Sequence, residues 1–420
     1  MKHLVVTEGY SYISIKDAGE DCLTQQEADE LSEYVTSKEL DTDNIFISRN
    51  EVRFINYVGY IRLSSCSIEI IPKVQGGNSE HSRRVLLNLL NCTGFLKINE
   101  SEISELSLLR ENLLEIIGYL FTKRLTKEIK KGLYQSYVVE NEHLHRIRGK
   151  IDVKKQIRNY ASKSTAVACE FDEFKTDTPL NQIFKMAMTK LLRNIKSNET
   201  QRLLLHGIVN FDDVSSTYIL SYQLDNIHFN RNNQRFYDSY LLAKLILSGS
   251  ASTFQSGLSK NFSILFKMNE LFEEYIAYLA KKVSSDVTIK DRRYRLLVNE
   301  KTGYKNFLLE PDLLINKNSD KQLIIDTKWK RYDPSIGSHG VQRNDLYQMY
   351  AYLTRYDRVQ TVILLYPYDY NKNFKSGECL NTWHLDGNSN KKIKCYTINY
   401  ENEKEALEEM KAITYESGVR

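Results

Sequence analysis

Apolar positions along the chain change their repeat as the sequence proceeds. Up to about residue 78 they alternate: Ile45-Phe46-Ile47, Val52-Arg53-Phe54-Ile55 and Ser67-Ile68-Glu69-Ile70-Ile71 carry the two-residue period of half-buried strands. Between the first strands and the N-terminus, Ala28, Leu31, Tyr34 and Val35 fall at helical spacing within Gln25 to Glu39, and the turn-rich run from Pro72 to Asn78 closes the unit. From His81 the period becomes helical. Val85, Leu86, Leu89 and Leu90 form one stripe, and Leu106, Leu109, Leu113, Ile116, Ile117 and Leu120 form a second, on a helix predicted to run past Lys130. Two more helices are predicted around Pro179 to Arg193 and Gln234 to Leu247, with a soft boundary near Gly249 to Asn261. Beyond it the pattern mixes. A helix over Lys267 to Ala280 buries Met268, Leu271, Phe272, Tyr275, Ile276 and Leu279; a helix covers Asp345 to Thr354; and Thr361 to Tyr366 is a buried strand ended by Pro367. The fold class is therefore α/β (α+β), with a small N-terminal mostly-β or α+β unit over residues 1–80, a helical middle region over 81–255 and a C-terminal core of helices and strands over 256–420.

Composition narrows the function classes. A chain of 420 residues exceeds one domain of roughly 100–200 residues, and 41% hydrophobic with 27% charged residues excludes wholesale disorder. Net charge is only +4, so contact with nucleic acid must come from local patches. One such patch is residues 121–160, with eleven Lys or Arg against four acids; a solvated helix face and basic loop would have the same composition. Six scattered cysteines without a CxxC pair read as reduced thiols, giving neither a disulfide framework nor a zinc site. No apolar run approaches the ~20 residues of a membrane span, which points to a cytoplasmic protein without a membrane partner.

The chemistry gathers in residues 304–330. Leu313 to Ile315 and Gln322 to Ile325 flank the polar turn Asn316 to Lys321, the signature of a hairpin. Asp312 opens the first strand, while Asp326 and Lys328 stand two apart on the second and share a face. Two carboxylates and an ammonium converging at a strand edge suit a hard divalent cation, which binds one or two carboxylates and keeps several waters. Such an ion acidifies water and offsets charge developing on a phosphate. A surface hairpin with a solvated salt bridge would carry the same letters. The flanks favour the site: Glu273 lies on the shoulder of the upstream helix stripe, and Gln348 and Tyr352 share a face of the downstream helix at i and i+4.

Helix, hairpin, helix and strand in this order resemble the PD-(D/E)xK nuclease fold, with PD at 311–312, DTK at 326–328 and QxxxY at 348–352, and the resemblance implies a mixed central sheet flanked by helices over 256–420. More narrowly, the chain resembles the McrC family, the nuclease subunits of McrBC modification-dependent restriction systems. The blocks that carry this are Ile70-Ile71-Pro72-Lys73, LHRIRGKIDVKKQIR at 144–158, CEFDEFKTDTPLNQIFK at 169–185, MNELFEEY at 268–275, and LEPDLLI with IIDTKWK. They span about residues 60 to 366; the first sixty residues and the tail after 370 match least. The resemblance implies that Asp312 and Asp326 ligate Mg²⁺, that Glu273 completes the metal shell or its hydrogen bonds, and that Lys328 positions the attacking water. Gln348 and Tyr352 would support the site. It also implies an AAA+ GTPase partner that reads methylated double-stranded DNA, within a large hetero-oligomer serving defence against foreign DNA. The chain itself has no GxxxxGK[ST] phosphate loop and is expected not to hydrolyse nucleotide. The 1–80 unit would dock on the partner, with the 42–60 hairpin as the contact.

Other signals are secondary. Arg292, Arg293 and Arg295 before the hairpin, with Lys330 after it, form a strip suited to DNA phosphates, although a solvated strand face would carry the same arginines. Arg146, Arg148, Lys150, Lys154, Lys155 and Arg158 suit DNA, the GTPase or a structural basic turn. His143 and His145 lack neighbouring cysteines and read poorly as metal ligands, and Thr176 to Pro179 reads as a helix entry capped by Asp177 or Thr178. Two other functions are compatible with the same letters: a stand-alone repair nuclease, and an adaptor that only stimulates the GTPase.

Overall fold

The structure, a computed structural model, describes residues 2–418 except 10, 39, 42–43, 75–77, 99–101, 103–110, 218–220, 249–261, 320, 336–339 and 370–373. The chain divides into two compact units, Met1–Arg110 with Leu265–Arg420, and Glu111–Ile264. The first and last stretches of the sequence thus share one unit, and the middle region forms the other.

In the first unit, Lys2–Thr7 runs parallel to Cys66–Ile71, which pairs antiparallel with Tyr57–Arg62; the end of the strand Phe262–Lys267 completes this sheet. Leu4 and Val6 point into the core while Val5 stays exposed, the alternation of a half-buried strand. The helix Gln25–Ser37 starts at a capping box, with Thr24 Oγ1 accepting from Glu27 N–H and the Glu27 carboxylate accepting from Thr24 N–H. It packs Leu31, Tyr34 and Val35 on Ile45, Val52, Phe54 and Ile68. Ile45–Ile47 and Glu51–Phe54 form the expected hairpin; residues 42–43 of the 42–60 segment, and 75–77 of the exit turn, lie outside the described residues.

The rest of this unit is a six-stranded mixed sheet in the order Val287–Ile289, Leu313–Ile315, Gln322–Thr327, Val359–Pro367, Asn388–Ile398, Cys379–Leu385. The expected hairpin is present, with Leu313 opposite Ile325 and Ile315 opposite Leu323, and Asn316 takes a positive φ in its turn. Gln322–Thr327, Val359–Pro367 and Asn388–Ile398 run parallel at the centre. The helix Arg343–Arg355 covers one face, packing Met349, Tyr352 and Leu353 against Leu314, Ile324, Val362 and Leu364. Asp326 has the parity of Ile324, so it lies on that same face. The helices Met268–Val283 and Glu403–Glu416 pack on each other and are tied by Tyr278 and Lys282, which both donate to Glu403 at 2.7 Å. A two-stranded ribbon, Arg295–Val298 with Lys305–Leu308, precedes the hairpin with every strand residue exposed. The ribbon and the strands and helix after residue 379 are additions to the sequence reading.

In the second unit the helices Leu113–Ile129, Pro179–Leu192, Asn198–Val209 and Tyr237–Ser248 enclose a core in which Phe184 meets Phe121 and Phe236. Thr178 caps the second of these with Pro179 in its first turn. The helix predicted to pass Lys130 instead ends there and the chain turns at Gly132, which has a positive φ; Leu106 and Leu109 lie outside the described residues. The middle region is also not wholly helical. Ser136–Leu144, Val167–Lys175 and Lys150–Ile151 form an antiparallel sheet beside the short helix Val153–Ala161. Gly149 is required there, because a Cβ on it would run into the Glu170 carbonyl.

Candidate active site

The hairpin brings Asp312 beside the second strand. Asp312 Oδ2 accepts from Thr327 N–H at 2.6 Å and from Thr327 Oγ1 at 2.7 Å, so the residue between Asp326 and Lys328 fixes the first carboxylate. Asp326 is 1% exposed, and its Oδ2 lies 2.5 Å from Lys328 Nζ, yet this atom finds no partner in hydrogen-bond geometry. Burial first, and the Asp312 charge second, push the Asp326 carboxyl up to about 7, against the pull of Lys328. The Lys328 ammonium is itself raised: burial disfavours its charge, but Asp326 outweighs that cost. An acid that resists ionisation beside a second carboxylate marks a place short of positive charge.

The supporting residues join the same cluster. Lys328 Nζ donates to Gln348 Oε1 at 3.1 Å, Gln348 Nε2 donates to Tyr352 Oη at 3.0 Å, and Tyr352 Oη donates to the Glu310 carbonyl at 3.2 Å. This chain of bonds spans from the DTK strand to the residue before Pro311. Tyr352 is buried and its hydroxyl is held protonated by burial and by the charges of Asp326 and Asp312.

Glu273 stands on the first turns of Met268–Val283, half-buried, with its carboxyl raised by burial and by the Asp312 charge. Its Oε1 is engaged by Lys290 Nζ at 3.1 Å. Among the described residues no three His, Cys, Asp or Glu side chains are gathered tightly enough to hold a metal ion. The Asp312–Asp326 pair alone still fits a hard cation that keeps most of its waters, because its donors are carboxylate oxygens and one, Asp326 Oδ2, is buried without a well-aligned hydrogen bond.

The expected phosphate-binding strip is largely engaged within the chain. Arg292 makes a two-pronged contact with Glu310 (2.8 and 3.0 Å), Arg293 pairs with the buried Asp291 at 2.9 Å, and Lys330 pairs with Asp345 at 2.5 Å. Arg295 is exposed on the ribbon. In the second unit, Arg148 pairs with Glu173 and Lys150 with Glu170, whereas Arg146, Lys154 and Arg158 are exposed; His143 accepts from Asn159 Nδ2 at 2.7 Å.

Sequence reasoning missed the surroundings of Trp329, although two of its quoted blocks meet there. The indole N–H donates to Glu8 Oε1 at 3.1 Å, and Lys73 Nζ sits 4.6 Å from the centre of the indole. The signal was a tryptophan directly after the DTK triad and a lysine ending Ile70-Ile71-Pro72-Lys73. No helix among the described residues is long and apolar enough to cross a membrane.

Known proteins resemble this chain in sequence and in fold. A family model described as the McrBC 5-methylcytosine restriction system component matches residues 52–367. The type IV methyl-directed restriction enzyme EcoKMcrBC of Escherichia coli (strain K12) is 25% identical over 271 residues, 58% of this chain and 72% of that protein. A chain of the refined half-complex from the tetradecameric assembly of Thermococcus gammatolerans McrB AAA+ hexamers with bound McrC superposes with a TM-score of 0.74 at 20% identity, covering 99% of this chain and 100% of that one. A chain of the McrBC complex from the same organism gives 0.52 at 23% identity, over 67% and 88%. At these identities the two structures establish a shared fold.

Proposed function

Because the chain belongs to the family of McrBC 5-methylcytosine restriction system components, we propose that it is the nuclease subunit of such a system, a Mg²⁺-dependent endonuclease that hydrolyses phosphodiester bonds of methylated double-stranded DNA. The observation that carries this reading is the convergence of Asp312, Asp326, Lys328 and Gln348 at one strand edge, inside the matched region. Asp312 and Asp326 would hold the cation, with Glu273 as the third acidic residue of the set. Bound there, Mg²⁺ would lower the pKa of a water and neutralise charge on the phosphate.

The chain's own groups do the rest. Lys328, kept cationic by Asp326 and aimed by Gln348, lies where it can hold a water or a phosphate oxygen. Thr327 fixes Asp312 through two hydrogen bonds, so the strand carrying Lys328 also sets the opposite carboxylate. Exposed Arg295 offers a phosphate contact, and Arg292, Arg293 and Lys330 would join it on exchanging their carboxylate partners for DNA.

The partner in this reading is an AAA+ GTPase that the chain binds and stimulates. The McrB AAA+ hexamers with bound McrC in the structural relative support it. The second unit supplies a surface for such a partner: Tyr137, Val139, Phe174, Val153, Ile157 and Tyr160 are exposed on its sheet and short helix. On the 42–60 hairpin, by contrast, Ile45, Val52 and Phe54 are buried, and Phe46 and Ile55 are the exposed apolar side chains among the described residues. The test is Asp326→Ala in the complex with the GTPase. Mg²⁺-dependent cleavage should be lost and stimulation of GTP hydrolysis retained; cleavage at the wild-type rate removes the site assignment, and loss of both activities removes the separation of roles.

A further inference from the structure

Two side chains that flank the candidate cleavage residues in sequence lie against each other in space. Phe272 immediately precedes Glu273, Trp329 immediately follows Lys328, and their rings pack at 5.3 Å. Tyr400 also packs on the indole, edge-on at 5.2 Å. The relative placement of the Glu273 helix and the Lys328 strand therefore depends on where this indole sits.

The indole is oriented by the N-terminal sheet. Glu8, directly after the strand Lys2–Thr7, is 1% exposed. Its Oε1 accepts from Trp329 Nε1 at 3.1 Å and lies 3.6 Å from Lys73 Nζ, and its Oε2 accepts from Asn56 N–H at 3.3 Å. Lys73 in turn covers the indole face at 4.6 Å, and Tyr400 donates its hydroxyl to the Lys73 carbonyl. A buried carboxylate is costly unless it is paired and hydrogen-bonded. Spending one here gives the indole N–H a charged acceptor, the stronger kind of hydrogen bond.

We propose that Glu8 is a positioning residue for DNA cleavage, acting through Trp329 to hold Lys328 and Glu273 in register. The proposal rests on the reading of Asp312, Asp326 and Lys328 as the cleavage site. It makes the N-terminal strand part of the nuclease machinery although it lies 321 residues from Trp329 in sequence. Errors of about 1 Å in such a site cost on the order of 100-fold in rate, so loosening the indole should be read in the chemical step.

The experiment uses the full chain with its AAA+ GTPase partner, Mg²⁺ and methylated DNA, comparing Glu8→Ala, Glu8→Gln, Trp329→Phe and Asp326→Ala. Glu8→Ala and Trp329→Phe should each lower single-turnover cleavage at saturating DNA by ~10–100-fold, with the half-saturating DNA concentration and GTPase stimulation unchanged. Glu8→Gln retains an acceptor for the indole N–H and should keep more of the rate than Glu8→Ala. The chain has 2 tryptophans, so Trp383→Phe leaves Trp329 as the sole reporter. In that background Glu8→Ala should shift Trp329 emission to the red and raise its quenching by acrylamide. Wild-type cleavage by Trp329→Phe, or a parallel fall of cleavage and GTPase stimulation in Glu8→Ala and Trp329→Phe, overturns the proposal while a dead Asp326→Ala leaves the site reading standing. Should Asp326→Ala cleave normally, the site reading itself falls.

Discussion

Lys328 donates to Gln348 at 3.1 Å, so a side chain from the helix Arg343–Arg355 aims the ammonium of the DTK strand. A hydrogen bond to a charged group contributes about 1.5–3 kcal/mol, equal to ~10–100-fold in rate if it is needed in the transition state. Gln348→Ala should therefore lower single-turnover cleavage by that factor without changing DNA affinity. Lys328→Ala should remove cleavage altogether. Rapid-quench kinetics at saturating DNA, beside an equilibrium binding curve, separates the two effects.

Arg293 and Arg295 are two residues apart and should differ in what their loss does to stability. Arg293 pairs with Asp291, which is buried and held below the usual carboxylate range; burial works against this, and Arg293 and Tyr356 outweigh it. Removing one partner of such a pair costs up to ~3–5 kcal/mol, reduced here by the remaining contacts from Lys317 and Tyr356. Arg293→Ala should lower the melting temperature by several degrees. Arg295→Ala should leave melting unchanged, weaken DNA binding regardless of sequence, and reduce the slope of log affinity against log salt by about 1. Differential scanning fluorimetry and fluorescence anisotropy between 50 and 200 mM salt (on the order of the range over which phosphate contacts are read) check both.

Asn56 caps a helix that begins more than two hundred residues later. Its carbonyl accepts from Met268 N–H at 2.8 Å and its Oδ1 from Asn269 N–H at 2.7 Å, where Lys267 gives no side-chain cap to Met268–Val283. It does so at a positive φ of 63°. Asn56→Ala loses the amide cap, worth about 1 kcal/mol, and replaces a residue that tolerates the left-handed region by one for which it costs up to ~1–2 kcal/mol. Asn56→Gly keeps the carbonyl contact and relaxes the backbone, so it should lose clearly less. Urea unfolding of the three proteins measures the order, and equal losses would mean that the left-handed backbone contributes nothing.

The parts of this site legible in the sequence are those close in the chain or tied by a repeat. Asp312, Asp326 and Lys328 are joined by one short hairpin, and strand alternation alone puts the last two on one face. Gln348 and Tyr352 follow from helical spacing, and Tyr352 is both buried in the core and hydrogen-bonded to Gln348. Glu8 with Trp329, and Asn56 with Asn269, were invisible because their meeting depends on how the N-terminal sheet lies against the C-terminal core, which no local pattern encodes. The strand Ser136–Leu144 escaped for another reason: Tyr137 and Val139 face solvent, so its alternation has no buried side to announce it. Charge counting also found Arg292 and Lys330 without their acids, since Glu310 and Asp345 were read for other roles or none.

Glu27 gives the fold a dependence on acid that does not involve Asp312, Asp326 or Lys328. Burial alone would raise its carboxyl, but hydrogen bonds from Lys2, Ser65 and the Thr24 N–H more than reverse this and bring it down to about 2. A carboxyl lower in the folded than in the unfolded chain adds stability that is fully present above the unfolded value of about 4.5 and fades as pH falls toward 2. The contribution is on the order of 1–3 kcal/mol. Glu27→Gln should therefore be less stable than wild type at pH 7 by that amount. The gap should narrow as pH falls below 4.5, because the wild type then binds a proton on folding's unfavourable side and the variant has none to bind. Lys2→Met should show the same narrowing from the other partner of the 2.7 Å pair. Melting temperatures of the three proteins across pH 7 to 3 follow the gap directly; a difference that stays constant over that range would place the role of Glu27 in capping the helix Gln25–Ser37 through its uncharged shape and not in its charge.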